Sequence, residues 1–172
     1  GLGMCIRDRI ENYIALDKIN LDIEKNTFVS LIGPSGCGKS TLLNLLAGLD
    51  DFTSGEIFID GKPLVGPGPD RGVIFQNYAL MPWLTAAGNI DYALETACPE
   101  LTSSQRREKA RYFLNMVGLE RSMNKYPRQI SGGMKQRVAI ARALSINPSM
   151  LLMDEPFGCL LYTSDAADEF MG

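Results

Sequence analysis

The spacing of apolar residues along this chain fits strands in some segments and helices in others, and it predicts where these elements lie. Short apolar runs at residues 28–32 and 149–153 are typical of buried strands, and prolines bound the second run. Residues 21–24 and 55–62 alternate as half-exposed antiparallel strands do, with a turn predicted at Asp60-Gly61. A small antiparallel sheet is therefore expected to accompany a parallel one.

Apolar residues at helical spacing predict three helices, at residues 41–47, 102–117 and 131–144. Thr102 or Ser103 is a suitable N-cap for the second helix, and Gly118 ends it. Ser131 is the predicted N-cap of the third. Strands and helices in this order predict an α/β fold.

The segment between the first apolar run and the first helix carries the strongest chemical signal. It reads Gly33-Pro34-Ser35-Gly36-Cys37-Gly38-Lys39-Ser40-Thr41 and fits the phosphate-binding template of Gly, four residues, then Gly-Lys-Ser. Glycines let the backbone N–H groups turn inward, and the following helix adds the positive end of its dipole. Lys39 is predicted to reach the β- and γ-phosphates, and the Ser40 hydroxyl to ligate Mg²⁺.

A second helix N-terminus offers another anion site. Ser131, Gly132 and Gly133 precede the apolar face of residues 138–144. These residues are small, so the backbone N–H groups at the start of that helix are accessible to an anion. Taken alone, the same pattern is also that of an ordinary capped turn.

Two carboxylates follow the apolar run at residues 149–153. Asp154 comes at the carboxyl end of this predicted parallel strand, where open α/β sheets bind their ligands. Asp154 is a candidate for holding Mg²⁺ through water, and Glu155 for orienting and deprotonating an attacking water.

These three segments, in this order, resemble the ATP-binding cassette (ABC) family. The family also has a glutamine after a strand between the first two motifs, and Gln76 matches it; the resemblance implies that Gln76 contacts the metal and the attacking water. The family signature has Leu and Gln where this chain has Ile130 and Met134.

The fold implied by this resemblance is a P-loop NTPase core with a small antiparallel β-subdomain and an α-helical subdomain at about 85–145. The implied cofactors are ATP and Mg²⁺, and Tyr13 is the candidate for stacking on adenine.

Residues 66–90 are similar to the ATPase subunits of importers for nitrate, sulfonates such as taurine, and bicarbonate. That resemblance implies a second ATP-binding subunit, identical or paralogous, which closes its signature on the nucleotide. It also implies transmembrane permease subunits, a periplasmic or lipoprotein substrate-binding protein, and a place at the cytoplasmic face of the inner membrane. Tyr78, Met81, Trp83 and Leu84 then either dock on the permease or pack under the helices.

Composition and net charge limit the functions that the chain is expected to have. With 172 residues and a net charge of −3, the chain is not expected to bind nucleic acid. Its four cysteines show no metal or disulfide spacing, and no apolar run is long enough to span a membrane. Two other functions are considered: a soluble ABC-type ATPase that acts as a conformational switch, and a fragment that binds ATP without turnover.

Both ends of the chain depart from the family pattern. The family continues with Ala-Leu-Asp after Gly158, whereas this chain has Leu161 at the aspartate position and contains no histidine for the later γ-phosphate sensor. We therefore expect a C-terminally truncated ABC ATPase domain at residues 10–158, between a non-native leader at residues 1–9 and a non-native tail at residues 159–172.

Both ends are encodable by a single short DNA element in opposite orientations, and this gives a test. The string ATG TGT ATA AGA GAC AG encodes residues 4–8 and begins the codon of Arg9, while its reverse complement, read from TGT, encodes residues 159–163. The string resembles the end of a transposase-based sequencing adapter. Amplification of the locus from unfragmented DNA should return different flanks, and recovery of both flanks unchanged would contradict the expectation.

Overall fold

The computed structural model describes residues 2–10 and 13–155, and the chain divides into two compact units, residues 1–68 and 69–172. The expected tail at residues 159–172 lies outside the described residues.

The first unit contains a four-stranded antiparallel sheet. Its strands are β1 (Leu2–Ile10), β2 (Tyr13–Ile23), β3 (Ser54–Ile59) and β4 (Lys62–Pro63), in the spatial order β2-β1-β3-β4. The turn between β3 and β4 has positive φ at Asp60 and Gly61, 51° and 75°, which a tight hairpin turn of this kind requires. The predicted antiparallel sheet and its turn are confirmed. Residues 2–9, expected to be a leader, lie in β1, whose backbone pairs with β2 and β3.

Helix α1 (Lys39–Ala47) follows the glycine-rich segment, as predicted. Leu42, Leu45 and Leu46 are buried because they recur at helical spacing on one face. Gly48 ends the helix with φ 72°, and its N–H donates back to the carbonyl of Leu45 at 3.0 Å.

The prediction of a strand at residues 28–32 is wrong. Within the described part of the chain, this segment belongs to neither sheet, and Phe28 and Ile32 are 88% and 94% exposed. A strand is stable only when a neighbour accepts and donates its backbone hydrogen bonds. An apolar run raises strand propensity, but it does not supply that neighbour.

The second unit combines a parallel strand pair with helices. Strands β5 (Arg71–Ile74) and β6 (Met150–Met153) pair in parallel, which confirms the strand predicted before Asp154. The helices are α2 (Ala86–Ala97), α3 (Ser103–Met116) and α4 (Gly132–Ser145), with two short 3-10 turns between α3 and α4, at Glu120–Ser122 and Pro127–Gln129. Thr102 caps α3 and Ser131 caps α4 through their side chains, as predicted. No helix in the described residues is long and apolar enough to cross a membrane.

Helices α2, α3 and α4 share one apolar core. Ile90, Leu94, Leu114 and Val138 are fully buried in it, and each comes from the inward face of one of the three helices. Arg106 of α3 adds ion pairs to Asp91 at 3.1 Å and Glu95 at 3.2 Å on α2. The three helices therefore form a continuous packed layer next to β5, which α4 contacts.

Gly48 gives a test of the first unit. A Cβ at Gly48 would lie 2.1 Å from the carbonyl oxygen of Gly66, whereas a Cβ at Gly61, which has nearly the same φ of 75°, meets nothing within 4 Å. We expect Gly48→Ala to destabilise the protein by about 2 kcal/mol or more, because backbone strain and overpacking add. Gly61→Ala, the matched control, should show the strain alone. Urea unfolding midpoints measure both, and equal losses would contradict the predicted clash.

Candidate functional site

The glycine-rich segment folds into a loop that is held by its own lysine. Lys39 Nζ donates to the carbonyl oxygens of Gly33 and Pro34, each at 2.8 Å, and lies 3.7 Å from Cys37 Sγ. Gly36 and Gly38 have φ of 80° and 93°, which residues with a Cβ rarely adopt. The loop therefore curls around the Lys39 ammonium, which is the arrangement expected for binding phosphate.

The start of α1 adds a second feature that favours an anion. Gly38 is the N-cap and has no side chain to accept a hydrogen bond from the first-turn amides of the helix. Ser40 lies in that first turn and is exposed. Helix N-termini of this kind bind phosphate through backbone N–H groups and the helix dipole.

Strand β2 lies directly behind this loop. A Cβ at Gly38 would lie 2.8 Å from Leu16 Cδ2 and 2.9 Å from the carbonyl oxygen of Ala15, so only glycine fits between β2 and α1. Tyr13 opens β2, two residues before Ala15, and its backbone pairs with Ile10. The candidate for adenine stacking therefore lies on the strand that contacts the phosphate loop.

In the second unit, the predicted polar residues meet at the carboxyl ends of β5 and β6. Gln76 Nε2 donates to Glu155 Oε2 at 2.8 Å, although the two residues are 79 positions apart. The Asp154 N–H donates to the Ile74 carbonyl at 3.0 Å, which extends the pairing of the two strands by one residue. Gln76, Asp154 and Glu155 thus lie together at the carboxyl ends of the two strands.

The oxygen donors at these strand ends suit Mg²⁺. Gln76 and Asp154, two of the three predicted metal contacts, offer amide and carboxylate oxygens, which Mg²⁺ prefers. Ser40, the third, offers a hydroxyl oxygen in the first turn of α1, in the first unit. Among the described residues, no group of three or more His, Cys, Asp or Glu side chains is able to hold a metal alone.

The signature segment forms the third candidate contact. Ser131 Oγ accepts a hydrogen bond from the Met134 N–H at 3.3 Å, and Gly132 and Gly133 make up the start of α4. A Cβ at Gly133 would meet nothing within 4 Å, so the surface around it is open. An approaching anion has access to this helix end.

Ser131 and Arg142 lie near opposite ends of α4. Arg142 donates to the carbonyls of Tyr78 and Ala79, just after Gln76. Ser131 precedes Arg142 by eleven positions, which is roughly 16 Å of helix. The signature therefore lies at the other end of α4 from the residue that contacts the turn after Gln76.

Two side chains that the sequence analysis missed fix the segment after Gln76. Arg142 anchors residues 78–79, and Asn89, only 1% exposed, accepts from the Met81 N–H at 2.7 Å and donates to the Thr85 carbonyl at 3.0 Å. No local pattern marks either residue, since a polar residue on a helix is ordinarily exposed. Their roles depend on contacts between separate segments.

This anchored segment presents Trp83 to the outside. Trp83 is 69% exposed, whereas Tyr78 is half-buried against the apolar cluster of Ile74, Ala139 and Ala143. Met81 and Leu84 are also half-buried. Of the four apolar residues considered for docking, Trp83 alone is largely exposed.

Comparison with known proteins gives one consistent family. A family model described as "ABC transporter" matches residues 16–158. The chain is 53% identical over 148 residues to the nitrate import ATP-binding protein NrtD of Synechococcus elongatus, covering 86% of this chain and 54% of that protein. It is 52% identical over 148 residues to the bicarbonate transport ATP-binding protein CmpD of a Synechocystis species, covering 86% of this chain and 52% of the relative.

Solved structures agree with this result. The dimeric ATP-binding cassette MJ0796, in a post-hydrolysis state bound to ADP and Pi, has a TM-score of 0.79 and 37% identity, over 92% of this chain and 75% of that one. This likeness confirms the predicted P-loop NTPase fold class. The chain spans about half the length of the two curated relatives.

Lys39 provides the test of the phosphate loop. Lys39→Ala removes the ammonium that the Gly33 and Pro34 carbonyls hold in the loop, and we expect ATP binding to be lost. Isothermal titration calorimetry with ATP and Mg²⁺ measures this on the full-length form. Lys62→Ala, at an exposed position in β4, is the control and should bind like the parent. Unchanged ATP affinity in Lys39→Ala would contradict the assignment.

Proposed function

The chain belongs to the ABC transporter family, and on this basis we propose that its full-length form binds and hydrolyses ATP as the ATP-binding subunit of an importer. The observation that carries the proposal is the hydrogen bond between Gln76 and Glu155 at the carboxyl ends of β5 and β6. It joins the glutamine and the carboxylate that the reaction requires, next to Asp154.

In the proposed reaction, each side chain has a separate role. Lys39 holds the β- and γ-phosphates in the loop, where its ammonium offsets their negative charge. By the family resemblance, Ser40 and Asp154 would hold Mg²⁺, whose charge would offset that of the phosphates. Glu155 accepts a proton from the attacking water, and Gln76 orients that water and would contact the metal.

The hydrogen bond prepares Glu155 for its role as base. Gln76 donates to Oε2 only, while a carboxylate has two oxygens able to accept protons. The bond from Gln76 therefore orients the carboxylate and leaves lone pairs on both oxygens able to accept the proton from water. Glu155 has φ 46°, an unfavourable backbone conformation of the kind that is often found at functional sites.

A second ATP-binding subunit completes the site in this proposal. Ser131, Gly132 and Gly133 lie at the open start of α4, roughly 16 Å of helix away from Arg142, which contacts the residues that follow Gln76. The signature therefore serves a nucleotide on a partner subunit, identical or paralogous. The dimeric state of the similar cassette MJ0796 supports this arrangement.

The transported solute is proposed to be a small anion. The similar proteins NrtD and CmpD are named for nitrate import and bicarbonate transport, and sulfonates belong to the same class of solute. The proposed partners are transmembrane permease subunits and a substrate-binding protein, periplasmic or lipid-anchored. The proposed location is the cytoplasmic face of the membrane, with Trp83 available for contact with the permease. No role in nucleic-acid binding is proposed.

Substitution of Glu155 tests the chemistry. In Glu155→Gln, the side-chain amide oxygen still accepts from Gln76 Nε2, but the side chain no longer accepts the proton from water. We expect the turnover number of the full-length form to fall by about 10² to 10⁴-fold while ATP still binds. Phosphate release measures turnover, and gel filtration with ATP measures the dimer, which should accumulate.

Glu108→Gln is the matched control, because Glu108 is exposed on α3. Its turnover should equal that of the parent. Normal turnover in Glu155→Gln would remove Glu155 from the role of base, and absence of ATP hydrolysis by the parent would contradict the proposed function itself.

A further inference from the structure

The turn that follows Gln76 has an unusual backbone. Tyr78 and Ala79 are consecutive residues with left-handed φ, 64° and 43°, and both carry a Cβ. Single non-glycine residues adopt this conformation occasionally, but an adjacent pair needs surrounding contacts to hold it. Gln76 lies between the end of β5 and this turn, which begins two residues later. The conformation of the turn therefore affects the path of the backbone at Gln76.

Local hydrogen bonds define part of this turn. The Tyr78 N–H donates to the Phe75 carbonyl at 2.9 Å, and the Ala79 N–H donates to Asn77 Oδ1 at 3.2 Å. These bonds involve the N–H groups of Tyr78 and Ala79. The carbonyl oxygens of the same two residues face helix α4 instead.

Arg142 of α4 binds both of these carbonyls. Its Nη1 donates to the Ala79 oxygen at 2.6 Å and its Nη2 to the Tyr78 oxygen at 3.0 Å. The planar guanidinium presents these two N–H donors from separate nitrogens in a fixed geometry, whereas a lysine ammonium is a single nitrogen on a flexible stem. Burial lowers the pKa of Arg142 from its ordinary value, because the charged form loses contact with water. The guanidinium nevertheless stays charged, since arginine is not deprotonated in proteins.

We propose that Arg142 is a positioning residue for Gln76: its two hydrogen bonds hold Tyr78 and Ala79 in the left-handed conformation and thereby direct Gln76 toward Glu155. The reaction to which this applies is the one given as the proposed function. Arg142 touches neither Gln76 nor the reacting atoms, and it acts through the backbone of the turn. Without it, the strained pair is free to relax, and the 2.8 Å bond to Glu155 lengthens or breaks.

Two variants at Arg142 and one matched control test the proposal. Arg142→Met removes the hydrogen bonds and keeps much of the apolar stem, while Arg142→Lys keeps the charge but replaces the rigid pair of donor nitrogens by one nitrogen on a flexible stem. Arg137→Met is the control, because Arg137 lies on the same helix and also donates to a backbone carbonyl, that of Val117 at 3.1 Å.

Hydrogen exchange of residues 75–80 measures the turn without nucleotide. We expect faster exchange in Arg142→Met, an intermediate rate in Arg142→Lys, and no change in Arg137→Met. If Arg142→Met does not fold, Arg142→Lys decides the outcome. Exchange equal to the parent in every folded Arg142 variant would overturn the proposal, whether or not the parent hydrolyses ATP.

Turnover of the full-length form measures the effect on Gln76. We expect kcat to fall by about 100-fold in Arg142→Met, as for a small misplacement of a catalytic group, with a smaller fall in Arg142→Lys and the KM for ATP unchanged. Arg137→Met should keep the parental kcat. A loss of kcat with a matching rise in KM and exchange throughout α4 would show a purely structural role and overturn the proposal. A parent without ATP hydrolysis would instead contradict the proposed function, and the exchange result would still decide whether Arg142 holds the turn.

Discussion

The parallel register of β5 and β6 is the constraint on which the candidate site depends. Ile74 pairs with Met153, so the residues beyond the two strand ends start from the same level of the sheet. A slip of one residue would shift one strand end by about 3.3 Å and turn its side chains to the opposite face. Either change separates Gln76 from Glu155, whose side chains are joined by one hydrogen bond of 2.8 Å. The register is held at the other end of the strands, where the backbone amides of Ser149 and Met150 both donate to the Asp70 carbonyl, at 2.9 and 3.1 Å. The positions of Gln76 and Glu155 thus depend on backbone contacts at the opposite ends of the two strands.

Helix α4 packs closely on this strand pair at Gly72. A Cβ at Gly72 in β5 would lie 3.0 Å from a Leu151 methyl, 3.1 Å from Pro148 and 3.2 Å from the Ala143 carbonyl. The end of α4 therefore packs directly on the β5 backbone, and small residues on α4 allow that close approach. From this position Arg142 reaches the turn after Gln76. The same helix that begins at Ser131 thus ends as a support for the strand ends that carry the candidate site.

The sequence predicted those features that depend on a few neighbouring residues. The helix after the glycine-rich segment, the caps at Thr102 and Ser131 and the turn at Asp60 all follow from side chains within a few positions, and the structure confirms these local elements. The parallel strand before Asp154 was also predicted, because prolines and a continuous apolar run left few alternatives. The strand at residues 28–32 failed for the opposite reason, since its apolar character was clear but a strand also requires a partner.

The contacts that could not be predicted join distant segments through single polar side chains. Arg142 and the carbonyl of Ala79 are 63 positions apart, and nothing in the sequence near either residue indicates the other. Asn89 is similar, because an asparagine within a helix is ordinarily exposed, yet here it is buried with all its bonds directed at the turn before α2. Buried polar groups of this kind are stable only when every partner is in place, because an unpaired buried donor or acceptor is strongly unfavourable. The motif residues therefore identify the chemistry, while the precision of their placement depends on residues whose importance becomes visible only after the chain has folded.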